Sequence, residues 1–295
     1  MSRCRIESLG VSLPRRTLFW RKGALSHAVT AGRGCFAASR HAPSDVQVLV
    51  NTGVHRDQHV CEPAIAAYIQ HRLRINVEFQ GPRTLSFDLL NGGVGMLNGM
   101  QVVSSLVEAG GIDAGMVVSS EANSDRRPDP SWAYPASGAA VLLDRSPEPD
   151  VGFGHFAFQT DERHAELFVS TVSLAVKHGR LLLRRRQAEL EDAYLAAAAG
   201  AVEELLAKGA LRREELDLVV PAQISADFLA RLPAAIGLPA ERILDLSATL
   251  PDTHSTSVVL SLHRAVASGR LGPGKTALLL AFGSGVTVGA ATYRF

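Results

Sequence analysis

The chain has 295 residues, 46% of them hydrophobic and 20% charged, so it can bury a large core as one domain or as two fused halves. Its 30 basic and 29 acidic residues give a net charge of +1, which predicts no general attraction to nucleic acid or to anionic membrane. No apolar run reaches the roughly 20 residues that span a bilayer, and the first residues lack the apolar core of a signal peptide, so we expect a cytoplasmic protein.

Short apolar runs bounded by turn residues predict buried strands, and helical segments lie between them. This alternation of strand and helix predicts an α/β fold built of layers. The predicted strands are 46–50, 85–90, 116–120, 139–143, 216–220, 243–246, 277–282 and 286–293. The predicted helices are 25–39, 63–73, 95–108, 190–208, 226–236 and 256–268.

The second half of the chain repeats the order of elements of the first half. Two such halves packed back to back would place the helices that begin at Gly95 and near Thr256 in the middle. We therefore predict an N-terminal half at residues 1–160 and a C-terminal half at residues 161–295. The corresponding segments are 45–50 with 216–220, 87–110 with 244–269, and 137–142 with 283–289.

The cysteines Cys4, Cys35 and Cys61 are odd in number and lack C-x-x-C spacing, which predicts neither a disulfide framework nor a zinc site. His55 and His59 have a spacing that could bind a metal on a helix, but they follow a strand in a predicted loop and no third ligand is apparent. We therefore expect no metal and no cofactor.

Two charged segments have surface interpretations. The arginines at 184–186 precede a predicted helix and are followed by acidic residues within two turns, which favours a solvated helix entry over a basic patch. The proline-stiffened loop at 126–134 contains Trp132 as one exposed aromatic candidate for contact with a partner.

The segment 87–95, Phe-Asp-Leu-Leu-Asn-Gly-Gly-Val-Gly, predicts a strand, a tight turn and a helix start, with no nucleophile on the turn. A phosphate-binding loop is a weak alternative, because no Gly-Lys-Ser/Thr ending follows and Asn98 stands where a third dinucleotide-binding glycine would be. This segment, together with the glycine-rich run at 279–291, resembles the thiolase superfamily, particularly β-ketoacyl-acyl-carrier-protein synthase III and its acyltransferase relatives. The likeness runs from about residue 45 to residue 295.

The resemblance implies a five-layered α-β-α-β-α fold of two similar halves, with a degenerate catalytic triad. Gly93 stands at the position of the family's cysteine, Ala222 at that of its histidine and Asp252 at that of its asparagine, which some acyltransferase relatives replace with aspartate. Glu121 resembles an acid at a strand end near the family's dimer interface and could also bond locally. The resemblance further implies substrate contacts from the two turns, at Asn91, Gly92, Gly283, Ser284 and Gly285.

The preferred functional hypothesis is a non-catalytic subunit, a pseudoenzyme of the synthase III type. It would support a catalytic paralogue in acyl transfer or Claisen condensation, in fatty-acid-like or secondary-metabolite biosynthesis. We expect a homo- or heterodimer that extends the sheet across the apolar strand 116–120, with acyl-CoA or acyl carrier protein reached through the partner. Where the family carries a longer coenzyme-binding loop this chain has only 15–24, with Trp20 and Arg21 as remnants.

Two alternatives remain open. An active acyltransferase, hydrolase or decarboxylase on acyl thioesters could use Asp252 and His254 as an acid/base pair, since histidine titrates near neutral pH. An acyl-ligand-binding regulatory protein could use the extra volume expected beside Gly93 and Ala222.

Overall fold

The computed structural model describes residues 3–14, 23–78, 80–176, 179–209 and 211–295, so Trp20 and Arg21 lie outside the described residues. The strands are β1 (Cys4–Ser12), β2 (Val48–Asn51), β3 (Leu85–Asp88), β4 (Ala114–Glu121), β5 (Ser137–Arg145), β6 (Gly152–Thr160), β7 (Phe168–Val176), β8 (Gly179–Arg186), β9 (Leu218–Pro221), β10 (Thr276–Gly283) and β11 (Thr287–Arg294). The helices are α1 (Ala24–Ala37), α2 (Ile65–Leu73), α3 (Gly95–Glu108), α4 (Leu190–Gly209), α5 (Ala226–Ile236) and α6 (Ser257–Ala267).

Two mixed sheets have matching strand orders. The first has the order β1-β5-β4-β2-β3; β5 pairs antiparallel with β1 and β4, and β2 pairs parallel with β4 and β3. The second has the order β6-β11-β10-β9; β11 pairs antiparallel with β6 and β10, and β9 pairs parallel with β10. The predicted strand at 243–246 contributes only one parallel bridge, between Ile243 and Val219, at the place that β3 takes in the first sheet. The repeat of elements predicted from the sequence is therefore confirmed.

The five predicted layers follow from which helices each sheet covers. Helices α3 and α6 lie between the two sheets, where Met100 and Leu262 share one hydrophobic cluster with Val50 of β2 and Val220 of β9. Helices α1 and α2 cover the outer face of the first sheet, and α4 and α5 cover the outer face of the second. A helix such as α3 can occupy the middle because apolar side chains occur around most of its circumference.

The structure corrects two predictions about edges and charges. Strand β4, which contains the predicted dimer strand 116–120, is buried along its whole length between β5 and β2, so it is not an edge. The edge strands of this sheet are β1 and β3, and Leu85 on β3 is 62% exposed. The arginines at 184–186 end strand β8 instead of forming a helix entry.

The region between β5 and α4 contains three strands that the sequence did not indicate. Strand β6 pairs with β11 and so belongs to the second sheet, although it ends at Thr160, within the predicted N-terminal half. The division at 160 stays a prediction. Strands β7 and β8 form a separate hairpin. Within the described ranges, no helix has the length and apolar content to cross a membrane.

A buried carboxylate ties β5 to two neighbouring segments. Asp144 is 2% exposed and lies 2.9 Å from Nε of Arg5, 2.6 Å from a guanidinium nitrogen of Arg40 and 2.9 Å from Nε2 of His41. Burial would raise the pKa of Asp144, but its hydrogen bonds to these cations hold that pKa below the usual range.

We expect the Asp144→Asn variant to lose about 1–3 kcal/mol of unfolding free energy at pH 7, because it removes the buried charge that pairs with Arg5 and Arg40. Since the folded-state pKa is lowered, the charge contributes fully above the ordinary aspartate pKa of about 3.9 and is lost as the pH falls below it. Urea unfolding at pH 7 and pH 3.5 measures both effects, with the exposed Asp113→Asn as the control. An equal loss for the two variants would contradict this role.

Candidate functional site

The elbow between β3 and α3 is held in shape by its own residues. A 3₁₀ turn at Gly92–Val94 follows β3, and α3 begins at Gly95. Gly92 has φ of 51°, in the left-handed region that favours glycine. Asn91 donates a side-chain hydrogen bond to Oδ1 of Asn98 at 2.8 Å, which joins the turn to the first turns of the helix.

The turn at the end of β10 lies directly against this elbow. A Cβ atom placed on Gly93 would stand 2.1 Å from the carbonyl oxygen of Phe282, well inside van der Waals contact. On the opposite side, a Cβ on Gly283 would meet Cγ2 of Val94 at 3.1 Å and the carbonyl oxygen of Asn91 at 3.3 Å. The backbones of the two turns are therefore packed together, and the extra volume expected beside Gly93 is absent.

Ala222 also belongs to a closed turn. It is 2% exposed, and its N–H donates to the carbonyl oxygen of Leu280 at 2.8 Å. The neighbouring Gln223 side chain donates to the carbonyl oxygens of Pro221 and Leu244 and accepts from a backbone N–H at 2.7 Å. The end of β9 is thus stabilised by an amide network in which Ala222 is buried.

A cavity of about 230 Å³ lies to one side of these turns. Of the predicted site residues it is lined by Asp252 and His254, but not by Gly93 or Ala222. The turn residues Asn91, Gly92, Gly283, Ser284 and Gly285 do not line it either. The other walls are formed by aromatic and aliphatic side chains together with Arg184 and Arg186, which the hairpin strand β8 brings over the opening.

Glu121, at the end of β4, is a fully buried carboxylate shared by two imidazoles. Its Oε2 lies 2.5 Å from Nδ1 of His55, and its Oε1 lies 3.2 Å from Nδ1 of His254. The Ser255 hydroxyl and the backbone N–H groups of Val54 and His55 donate to the same carboxylate. Burial would raise the pKa of Glu121, but the two imidazoles lower it below its ordinary value.

His254 is positioned by unusual backbone geometry. Its φ is 55°, and its N–H donates to Oδ1 of Asp252 at 2.8 Å. Burial disfavours a charged imidazole, yet the Glu121 carboxylate raises the pKa of His254 above its ordinary value. Burial raises the pKa of Asp252. Nε2 of His254 has no hydrogen-bond partner among the described residues, so this nitrogen is available to a molecule in the cavity.

The structure also settles which residues could hold a metal. His59 lies 2.9 Å from Asp125 and is not paired with His55, so the i, i+4 arrangement does not form a site. Among the described residues, His55, Glu121 and His254 are the group whose ligand atoms lie within 4.8 Å of one another. Five donors already contact the two oxygens of Glu121, so this carboxylate is satisfied by hydrogen bonds alone.

The chain is similar in sequence to proteins of known activity. Residues 206–295 match the family model for the C-terminal part of 3-oxoacyl-[acyl-carrier-protein] synthase III. The chain is 28% identical over 272 residues to the β-ketoacyl-[acyl-carrier-protein] synthase III of Rhizorhabdus wittichii, covering 91% of this chain and 83% of that protein. Against the enzyme of the same name from Sodalis glossinidius it is 29% identical, covering 79% and 73%.

Solved structures agree on the architecture. The 3-oxoacyl-(acyl carrier protein) synthase III of Pseudomonas aeruginosa superposes with a TM-score of 0.84 at 21% identity, covering 99% of this chain and 98% of that one. The chain is thus similar in sequence to 3-oxoacyl-acyl-carrier-protein synthase III and has the fold of that enzyme. OleA of Xanthomonas campestris has the same fold, with a TM-score of 0.82, 18% identity, and coverage of 99% and 98%.

Several residues of this synthase III-like site were not identified from the sequence. The sequence predicts His55 in a loop. In the structure its side chain is 4% exposed and its Nδ1 contacts the carboxylate of Glu121. Trp132 was expected on an exposed loop, but its ring packs edge-on against His55 at 4.8 Å. Arg184 was interpreted as a solvated residue and instead lines the cavity. In the sequence, the signals for these residues were the run of arginines at 184–186 and the aromatic residue in the loop at 126–134.

Gly93→Ala should destabilise this synthase III-like chain by about 1–3 kcal/mol, because the new Cβ would overlap the Phe282 carbonyl oxygen. Gly272→Ala is the matched control, since a Cβ there meets nothing within 4 Å and its φ is ordinary. It should be neutral or stabilising by up to about 1 kcal/mol. Urea unfolding measures both variants, and equal stability of Gly93→Ala and the parent chain would show that the two turns are not closely packed.

Proposed function

We propose that this synthase III-like chain is a non-catalytic subunit that supports a catalytic paralogue in acyl transfer or Claisen condensation. The observation that carries the proposal is the packing at Gly93, which has neither a thiol nor space for one in this backbone arrangement. Thiol-dependent acyl transfer requires a thiolate as nucleophile, and a helix N-terminus favours that thiolate. Cys4 and Cys35 are buried, and burial raises the pKa of both thiols, so neither is a substitute.

A strand of a second chain that paired with β3 would extend the first sheet across the dimer interface. An edge strand presents unpaired backbone groups, and Leu85 and Leu90 expose apolar side chains beside it. A second chain of the same fold could continue the sheet there, in a homodimer or in a heterodimer with the paralogue. We propose that acyl-CoA or acyl carrier protein is bound by the catalytic partner, in fatty-acid-like or secondary-metabolite biosynthesis.

The purified chain should release free thiol from acyl-CoA no faster than buffer, because no thiol stands on the elbow at the N-terminus of α3, where a thiolate would be favoured. The exposed thiol of Cys61 lies in the loop before α2, not on that elbow. Release is followed with a thiol-reactive dye. A rate well above buffer that saturates with acyl-CoA would contradict the non-catalytic role.

Co-expression with a same-fold paralogue that has an intact cysteine should yield a mixed dimer. Leu85→Lys should weaken that dimer by about tenfold or more, or about 1.4 kcal/mol, since it adds a charge at the sheet edge. Val266→Lys, at another exposed apolar position on α6, is the control. Light scattering after size exclusion measures the dimer, and equal effects of the two substitutions would exclude β3 as the interface.

One arrangement favours a second candidate function, acyl transfer or hydrolysis through His254. The Glu121 carboxylate binds Nδ1 and leaves Nε2 for the cavity, which is how a carboxylate orients a general base. If the chain does turn over acyl thioesters, His254→Ala should abolish that rate while the exposed His71→Ala leaves it unchanged. Equal rates for parent, His254→Ala and His71→Ala would remove this candidate.

A further inference from the structure

The cavity beside Asp252 contains a cation without a counter-ion. Arg184 and Arg186 lie on the same face of β8, because strand side chains alternate between faces. Arg186 forms an ion pair with Glu191. Arg185, on the opposite face, is 64% exposed and lies 2.8 Å from Glu166. Arg184 forms no salt bridge with any described residue, although it is partly buried.

The guanidinium of Arg184 is nevertheless held in place. Its central carbon lies 4.5 Å from the ring centroid of Tyr134, a cation–π contact that orients the planar group. A partly desolvated guanidinium favours an anion, and its paired N–H groups match the two oxygens of a carboxylate. The contact with Tyr134 restricts the side chain before any ligand arrives, which reduces the entropy lost on binding.

A second polar group in the cavity also lacks a partner. Tyr194 is 5% exposed and lines the cavity, and its hydroxyl has no hydrogen-bond partner among the described residues. Burial raises the pKa of Tyr194, so the hydroxyl stays protonated and can donate to an anion.

Asp252 is the group that could neutralise Arg184 without a ligand. It lies farther from Arg184 than a salt bridge allows, and its Oδ1 accepts the N–H of His254. Burial raises the pKa of this carboxyl. The nearby Glu121 carboxylate is already bound by His55 and His254, so neither acid removes the demand of Arg184 for an anion.

The remaining walls specify an apolar group of limited size. Phe168, Phe282, Leu190 and Ile224 line the cavity. Its volume of about 230 Å³ lies below the about 300–1,000 Å³ of pockets for drug-sized ligands. The occupant therefore has a short aliphatic chain or a single aromatic ring beside its charged group.

We propose that this cavity binds a small carboxylic acid as its anion, with the carboxylate on Arg184 and the Tyr194 hydroxyl and the apolar group against Phe168 and Phe282. The site uses neither Gly93 nor a thioester, so it does not depend on the absence of a thiol on the elbow. It therefore goes beyond the proposed subunit role, and the two proposals can fail separately.

Isothermal titration calorimetry of the full chain tests the site with hexanoate and benzoate. The neutral controls are hexanamide, benzamide and the N-acetylcysteamine thioester of hexanoate, which have the same apolar groups without the charge. At least one acid should bind saturably and at least tenfold more tightly than its neutral controls. Arg184→Gln should weaken that acid at least tenfold, Arg184→Lys should weaken it less, and Tyr194→Phe should weaken it severalfold.

Arg185→Gln is the matched control, because it removes the neighbouring charge from the exposed face of the same strand. It should leave the affinity for the acid unchanged, and thermal unfolding should show that all variants fold. The proposal is overturned if neither acid binds, if Arg184→Gln binds the acid as well as the parent does, or if Arg185→Gln weakens it equally. Tighter binding of the thioester than of the acid would also overturn it, in favour of an acyl-thioester pocket.

Discussion

The two halves of the chain meet where two glycine turns touch backbone to backbone. The carbonyl oxygen of Phe282 occupies the space that a Cβ on Gly93 would take, and Gly283 is limited in the same way by Val94 and Asn91. Because interiors are packed as densely as crystals, such a contact cannot coexist with a side chain at position 93 unless the turns separate. This contact connects the elbow before α3 to the end of β10. The cavity lies to one side of the contact, beside Asp252.

The polar groups of the site are organised by one buried carboxylate. Glu121 joins the loop after β2, through His55, to the turn before α6, through His254 and Ser255. A buried carboxylate is costly unless it is paired, and here every contact comes from a segment distant in sequence. The same contacts that stabilise the fold therefore fix the imidazole of His254 at the wall of the cavity, whether the chain has a structural or a chemical role.

The pattern of elements was predictable because it depends on local periodicity. Each end of the predicted helices lies within two residues of the corresponding end of α1 to α6. The sequence repeat also identifies strands that occupy corresponding places in the two sheets. Strands β1, β6, β7 and β8 were not predicted, because the prediction relied on continuous apolar runs, and polar residues or glycine interrupt such runs in these strands. The edge of the first sheet was misassigned because strand order depends on crossovers, which hydrophobicity along the chain does not specify.

The sequence by itself determined the class of fold and the absence of a thiol on the elbow, since both can be read from residue type and order. Only the tertiary structure decided that Gly93 faces a carbonyl oxygen instead of an empty cavity, and that His55, Glu121 and His254 form one cluster. It also decided that Arg184 lines a cavity and forms no salt bridge with any described residue. These features arise from contacts between residues separated by tens to hundreds of positions, and such distances are set by the packing of layers, not by local sequence.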